Sequence, residues 1–156
     1  MRQLAELAVP LAAGLNGVAA GIMLSTVIGI VPMMLAMPYD RYVQTVQFLW
    51  PRYDPLMPIL NGSALALVVF SAVAVGDVPA RPVLVLAVVL LATVMTISIT
   101  RNVPVNRLVS SLDSERQPTD WARIDPRSRW RAWNLVRTVL ALLAFATNVT
   151  ATVLLT

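Results

Sequence analysis

Four long stretches of this chain contain no charged residue, and they restrict the folds that it can adopt. The stretches cover residues 7–39, 55–76, 82–100 and 138–156. About 20 apolar residues are needed to cross the hydrocarbon core of a bilayer, and in lipid such a segment must be helical to satisfy its backbone groups. The whole chain is 58% hydrophobic and 13% charged, whereas soluble domains average about 45–50% apolar and about 25% charged residues. The sequence therefore predicts an all-α fold, an integral membrane four-helix bundle.

We predict one membrane domain whose spans cover residues 7–36, 55–76, 82–100 and 131–156. The first apolar stretch is longer than the 7–15-residue core of a secretory signal peptide, and three more spans follow it, so a span is favoured over a cleaved signal. Gly17 and Gly21 in this first span have the G-x-x-x-G spacing that lets helices approach closely. The pair serves either packing inside the bundle or a homo-oligomer. Pro32, near the end of the span, predicts a kink.

The connection between the first two spans has the pattern of an amphipathic helix over residues 40–50. Apolar and aromatic side chains recur at helical spacing, and these are Tyr39, Tyr42, Val43, Val46 and Trp50. Asp40 suits the N-cap and Pro51 the end of this helix. We expect it to lie along the membrane surface with its aromatic rings at headgroup depth.

The distribution of arginine predicts the orientation. With four spans, both large connections lie on one side of the membrane, and most of the twelve arginines lie in or beside them. The positive-inside rule therefore places both connections in the cytoplasm, and the net charge of +4 indicates contact with anionic lipid headgroups rather than with nucleic acid. The complete use of arginine in place of lysine is typical of a GC-rich bacterial genome, so we expect a bacterial inner membrane.

Polar side chains collect at the two ends of the predicted polar loop, residues 101–130. At its start, Asn102 and Asn106 flank Pro104, which predicts an extended or turned backbone. Their amides can either tie down the loop or hold a ligand that carries a carbonyl group. Residues 113–126 carry charges of both signs. This pattern predicts a solvated surface helix and turn, and we expect no catalytic role for it.

At the start of the fourth span, four residues are predicted to lie on one side of the helix: Trp130, Trp133, Asn134 and Arg137. Arg137 lies about two turns beyond a helix start near Arg129. It can snorkel to the interface, or it marks a functional site, as charges inside a membrane commonly do. Before the second span, Arg52 and Asp54 either form a surface ion pair or place a catalytic carboxylate, Asp54, at the mouth of the bundle.

Several motifs together resemble a known family. An N-x-P-x-N-R turn follows the third span, W-x-x-W-N-x-x-R-T opens the fourth, and R-Y-D-P-x-M-P precedes the second. Their order, together with the glycine-rich first helix, resembles the family of small four-helix membrane proteins that contains the anthrone oxygenases. The resemblance covers nearly the whole chain and implies oxidation of anthrones to anthraquinones by dioxygen without a classical metal or flavin. Asn134 stands where many members have His, so this chain lacks that imidazole.

Such a reaction needs a base, donors at an enolate oxygen and a dry pocket. We expect Arg137, Asn102 and Asn134 as the donors and Asp54 as the base. The substrate, an apolar enolisable aromatic or polyketide, is expected to contact Asn106, Trp130, Trp133 and Arg52.

The absence of His and Cys argues against zinc, non-haem iron and copper. We therefore expect no cofactor, with dioxygen as co-substrate, although haem held by Met or Tyr stays open. Two alternatives also remain: a polyketide cyclase or isomerase that uses the same pocket, and a non-catalytic membrane subunit or scaffold.

Overall fold

The computed structural model describes residues 1–76 and 78–155 and consists of helices joined by short connections. The α-helices are α1 (Arg2–Ser25), α2 (Val31–Ala36), α3 (Tyr39–Tyr53), α4 (Leu56–Ala74), α5 (Ala80–Ile97), α6 (Val103–Ser110), α7 (Trp121–Ile124) and α8 (Arg127–Leu155). Two π-helical turns, Thr26–Ile30 and Ser98–Asn102, join α1 to α2 and α5 to α6. The described residues contain no β-strand, so the predicted all-α fold is confirmed.

Four helical segments of the described chain are long and apolar enough to cross a membrane. They are Gln3–Ala36, Leu56–Ala74, Ala80–Ser110 and Trp121–Leu155. Inside the bundle, α1 packs against α4 and α8, and α5 packs against the same two helices. The core between them is built mainly of alanine, valine and leucine, and its many alanines let the helices approach closely. The predicted four-helix membrane bundle is therefore observed.

Both π-helical turns occur at the same distance from a proline. Thr26–Ile30 ends two residues before Pro32, and Ser98–Asn102 ends two residues before Pro104. Proline has no backbone N–H, and its ring clashes with the carbonyl four residues earlier, so a locally wider turn lets the helix continue past it. The predicted extended or turned backbone around Asn102 and Asn106 is therefore wrong, because the third span stays helical to Ser110.

The glycines of α1 differ in their surroundings. A Cβ added to Gly17 would lie 2.8 Å from the ring of Phe145 in α8, whereas one added to Gly14 or Gly21 meets no atom within 4 Å. Gly17 therefore permits the close approach of α1 and α8 inside the bundle. A homo-oligomer through Gly17 and Gly21 stays a prediction.

The amphipathic helix in the first connection is present as α3, but its environment differs from the prediction. Pro38, not Asp40, occupies the N-cap, and Pro51 lies inside the helix rather than at its end. The rings of Tyr39 and Tyr42 are buried against Trp121 of the third connection, with the Tyr39 and Trp121 ring centroids 4.8 Å apart. The prediction that these two tyrosines lie among lipid headgroups is therefore wrong, because the third connection folds over them.

The third connection is more ordered than its mixed charge indicated. The Tyr39 hydroxyl donates a hydrogen bond to the carbonyl of Asp113 at 2.8 Å, and the Gln47 amide donates to the carbonyls of Ser110 and Leu112. Trp121 is buried. The described residues 113–126 therefore form a cover that is tied to α3, and only α7 within them is helical.

Candidate functional site

A cavity of about 170 Å³ opens at the end of the bundle that carries the two large connections. Its wall is formed by both π-helical turns and by residues from every described α-helix except α7. Engineered protein cavities of about 150 Å³ accept benzene, so the cavity can admit an aromatic ring. π-Helical turns occur frequently at functional sites, and here both of them line the same space.

Five of the eight predicted site residues line this cavity. They are Asp54, Asn102, Asn106, Trp130 and Arg137. Asn134, Trp133 and Arg52 do not belong to the lining. The structure therefore brings together residues from the turn between α3 and α4, the second π-helical turn, α6 and α8 that are up to 83 positions apart in sequence.

Arg137 is half-buried and is held by neutral partners. Its Nε and Nη2 donate to Oδ1 of Asn134 at 3.0 and 2.7 Å, and its Nη1 donates to Oγ of Ser98 at 3.1 Å. Within residues 1–76 and 78–155, no carboxylate lies within ion-pair distance of this guanidinium. The site thus contains a fixed positive charge whose counter-ion is not supplied by the described chain.

Asn134 acts on Arg137 and not on the cavity. It is fully buried, its Oδ1 accepts two of the Arg137 hydrogen bonds, and its Nδ2 has no partner. Asn134 is not part of the cavity lining, and its role as a donor to the substrate stays a prediction. Asn134 lies three positions before Arg137 on the same helix, and this spacing lets its amide oxygen accept both hydrogen bonds from the guanidinium.

Two further asparagines carry buried carbonyl oxygens without a partner among the described residues. Asn102 is fully buried in the second π-helical turn, and its Nδ2 lies 3.5 Å from the carbonyl of Trp130. Asn61 in α4 also lines the cavity and donates from Nδ2 to the carbonyl of Met57 at 3.0 Å. Oδ1 of each of them, and Nε1 of Trp130, are unpaired. Asn61 was not among the predicted site residues, because it stands inside an uncharged span.

The two remaining predicted contacts lie outside the cavity. The Arg52 guanidinium lies 3.7 Å from the centroid of the Phe48 ring and donates to the Phe48 carbonyl, and no ion pair joins it to Asp54 among the described residues. Trp133 stacks with Arg101 at 5.0 Å. Neither Arg52 nor Trp133 lines the cavity, and their contact with a substrate stays a prediction. Asp54 itself is exposed at the cavity mouth.

The rest of the cavity wall is apolar and aromatic. It includes Trp50, Tyr42, Tyr53 and four methionines, namely Met23, Met34, Met57 and Met95. Burial raises the pKa of the Tyr42 hydroxyl, the charge of Asp125 raises it further, and Arg127 opposes both effects. Tyr42 is therefore a neutral phenol at physiological pH. Its spacing indicated a helix face, but nothing in the sequence distinguished a lining residue from a core residue.

An arginine in the third connection fastens the cover beside the cavity. Arg127 forms an ion pair with Asp125 at 2.6 Å and donates to the carbonyls of Met34 and Met37 at 3.0 and 2.7 Å. It therefore joins the start of α8 to the C-terminal end of α2, where the guanidinium adds hydrogen bonds to the Met34 and Met37 carbonyls. Arg127 was not among the predicted site residues, because no local pattern distinguishes it from the other arginines of this region.

Metal-binding side chains do not converge in the part of the chain that the structure describes, where no group of three His, Cys, Asp or Glu could hold an ion. The chemistry that the cavity can supply comes instead from one guanidinium, several amides, phenols and one carboxylate at the mouth. These groups can hold an oxygen-bearing aromatic ligand and receive a proton from it.

Comparisons with known proteins connect this cavity to a family. Neither the curated proteins nor the solved structures give a match. A protein-family model described as Anthrone oxygenase matches residues 48–147, which is 100 of the 156 residues. The matched region begins in α3 and contains all five predicted site residues that line the cavity. The chain therefore belongs to the anthrone oxygenase family.

Proposed function

We propose that the protein is a membrane-embedded oxygenase that oxidises an enolisable aromatic or polyketide substrate with dioxygen and without a metal or organic cofactor. The observation that carries this proposal is the Arg137 guanidinium, held by Asn134 and Ser98 at the wall of an apolar, aromatic cavity. A fixed positive charge in a site of low polarity stabilises a developing oxyanion strongly, because little solvent competes with it. In this proposal the bundle lies in a bacterial inner membrane with both large connections in the cytoplasm.

For an anthrone, the reaction replaces a ring CH₂ by a carbonyl group. Loss of one proton from this carbon gives an enolate, with its negative charge directed at Arg137. The enolate carbon donates electrons to dioxygen and forms a C–O bond, and protonation of the distal oxygen gives a hydroperoxide. Loss of water then breaks the O–O bond and removes the second hydrogen. One oxygen atom ends in the new carbonyl group and the other in water, so atoms and electrons balance.

The residues have separate roles in this proposal. Arg137 binds the enolate oxygen, while Asn134 and Ser98 act as positioning residues that hold its guanidinium. Asp54, at the mouth, receives the proton and passes it to water. Asn102, Asn106 and Trp130 contact the substrate, and the methionines and aromatic rings exclude water, which favours dioxygen as an apolar co-substrate.

The proposal is tested by measuring dioxygen uptake in detergent or nanodiscs with a synthetic anthrone. The expected result is enzyme-dependent uptake of one dioxygen for each quinone formed, above the rate with empty nanodiscs. Arg137→Gln should lower the rate by about 10²-fold or more, the usual effect of removing an oxyanion-stabilising donor, and the exposed Arg131→Gln should not. Conversion of the substrate without dioxygen uptake would identify a cyclase or isomerase instead. A protein that neither binds nor converts the compound would contradict the enzymatic proposal.

A further inference from the structure

The charge balance at the cavity wall specifies the ligand more narrowly than the proposed reaction does. Four titratable side chains line the cavity: Tyr42, Tyr53, Asp54 and Arg137. Asp54 is exposed at the mouth, where water and salt screen its charge. Arg137 lies deeper, about 15 Å along α8 from its start at Arg127. The charge that dominates the inner part of the cavity is therefore positive.

This positive charge is incompletely bonded within the described chain. A guanidinium carries five N–H donors, and the hydrogen bonds to Asn134 and Ser98 use three of them. Two donors are left for a ligand. Because charges inside proteins are usually paired, and the described residues offer no carboxylate within ion-pair distance, a bound anion is the partner that would complete this site.

We infer that the cavity binds its aromatic ligand as an anion, a phenolate or enolate, and that the ligand itself is the missing counter-ion of Arg137. This inference rests on the proposed function in taking the cavity as the substrate site. It adds that ionisation accompanies binding in the ground state, before dioxygen reacts. Neutral aromatic compounds of the same shape then bind more weakly than their anions, and stable aromatic anions occupy the site without being oxidised.

The arrangement around Arg137 supports binding of a planar anion. Asn134 holds the guanidinium through Nε and Nη2, and the plane of the guanidinium is thereby fixed before a ligand arrives. A pre-oriented donor pays less conformational entropy on binding. Trp50 and Trp130 line the same cavity, so an aromatic ligand can contact an indole ring while its oxygen faces Arg137.

The test uses 4-nitrophenol, whose absorption changes when the hydroxyl ionises. The protein in uncharged nanodiscs is titrated with pH at saturating protein, and the pKa of the bound probe is compared with that of the free probe. The expected result is a lowering of about one unit or more, which corresponds to at least about tenfold tighter binding of the phenolate than of the phenol. An unchanged or raised pKa for the bound probe would overturn the inference.

Variants separate the effect of Arg137 on the pKa of the bound probe from the effect of positive charge on the protein surface. Arg137→Gln should abolish the lowering, Arg137→Lys should keep part of it, and Arg131→Gln, which changes an exposed arginine on the same helix, should keep all of it. If Arg131→Gln abolishes the effect as Arg137→Gln does, surface charge is responsible and the inference fails. Should Arg137→Gln not fold, the wild-type titration and Arg137→Lys still decide the question.

The inference and the proposed function fail in different ways. A lowered pKa of the bound probe without dioxygen uptake on any anthrone would support an anion site and contradict the oxygenase. Dioxygen uptake with an unchanged probe pKa would support the oxygenase and overturn the anion site. Competition by 2-naphthoate but not by 2-naphthamide, followed by quenching of tryptophan fluorescence, provides a second readout of the anion preference.

Discussion

Asn134→Asp supplies a counter-ion to Arg137 with almost no change of shape. Oδ1 of Asn134 already lies 3.0 and 2.7 Å from Nε and Nη2 of Arg137, which is the side-on geometry of an arginine–carboxylate pair. The adjacent guanidinium favours the ionised form of the new acid. The substitution therefore neutralises the charge of the site without removing the arginine.

The magnitude follows from the distances. Two unit charges about 4 Å apart interact by about 4 kcal/mol at an effective dielectric constant of about 20. A tenfold preference for a bound anion amounts to about 1.4 kcal/mol. The attraction between Arg137 and the new carboxylate is larger than this free energy, so the carboxylate would replace the ligand as partner of the guanidinium. We expect kcat/KM to fall at least about tenfold and the ligand preference for anions to disappear. Protein stability should be kept, because a half-buried cation gains a partner.

The assay is dioxygen uptake at fixed pH, with thermal unfolding as the check on folding. Asn148→Asp is the matched control, because it places the same acid on the buried face of α8, about 21 Å further along the helix, beside Asn16 rather than Arg137. Asn134→Asp with unchanged kcat/KM would refute the role of an uncompensated charge. If Asn148→Asp lost as much activity per folded molecule, the effect would not depend on proximity to Arg137, and the placement of the charge at Arg137 would be refuted.

Three other predictions concern the mouth, the cover and the helix contact. Asp54→Asn should lower kcat by about 10²-fold, the low end for loss of a general base, whereas the exposed Asp40→Asn should have no effect; equal rates for both would exclude Asp54 as proton acceptor. Arg127→Ala should lower the free energy of unfolding by about 3 kcal/mol, because it leaves a partly buried acid unpaired. Arg123→Ala, in a pair exposed by 82% and 45%, should change it by less than about 0.5 kcal/mol, and the comparison is made by chemical denaturation. Gly17→Ala should cost about 1 kcal/mol through its contact with Phe145, whereas Gly14→Ala should not destabilise the bundle; equal unfolding transitions would contradict the close approach of α1 and α8.

The fold could be predicted because the bilayer leaves few solutions for uncharged stretches of this length. The positions at which the helices end were harder to predict from the sequence. A proline after a span usually indicates a break, and the alternative here, a π-helical turn ending two residues before Pro32 and Pro104, depends on packing that no local pattern contains. Consequently the prediction for the backbone at Asn102 was wrong although the residue does line the cavity.

The candidate site was predictable where a polar residue stands at an unusual depth, as Arg137 does. The site was not predictable where a polar side chain could contact either the cavity or a neighbouring residue. Asn134 lies on the same side of the helix as Arg137, and only the structure places its amide against the guanidinium instead of the cavity. Trp133 and Arg52 carry the side chains expected of a binding pocket, but each stacks with a neighbouring residue outside it.

The proposed reaction transfers oxygen from dioxygen to the enolate carbon of the substrate. It is tested most directly by supplying ¹⁸O₂ to the purified protein with an anthrone and measuring the mass of the quinone. We expect one ¹⁸O atom in the new carbonyl group and the second in water, with label incorporation that depends on Arg137. A quinone whose new oxygen comes from water, or one that forms equally fast with Arg137→Gln, would contradict it.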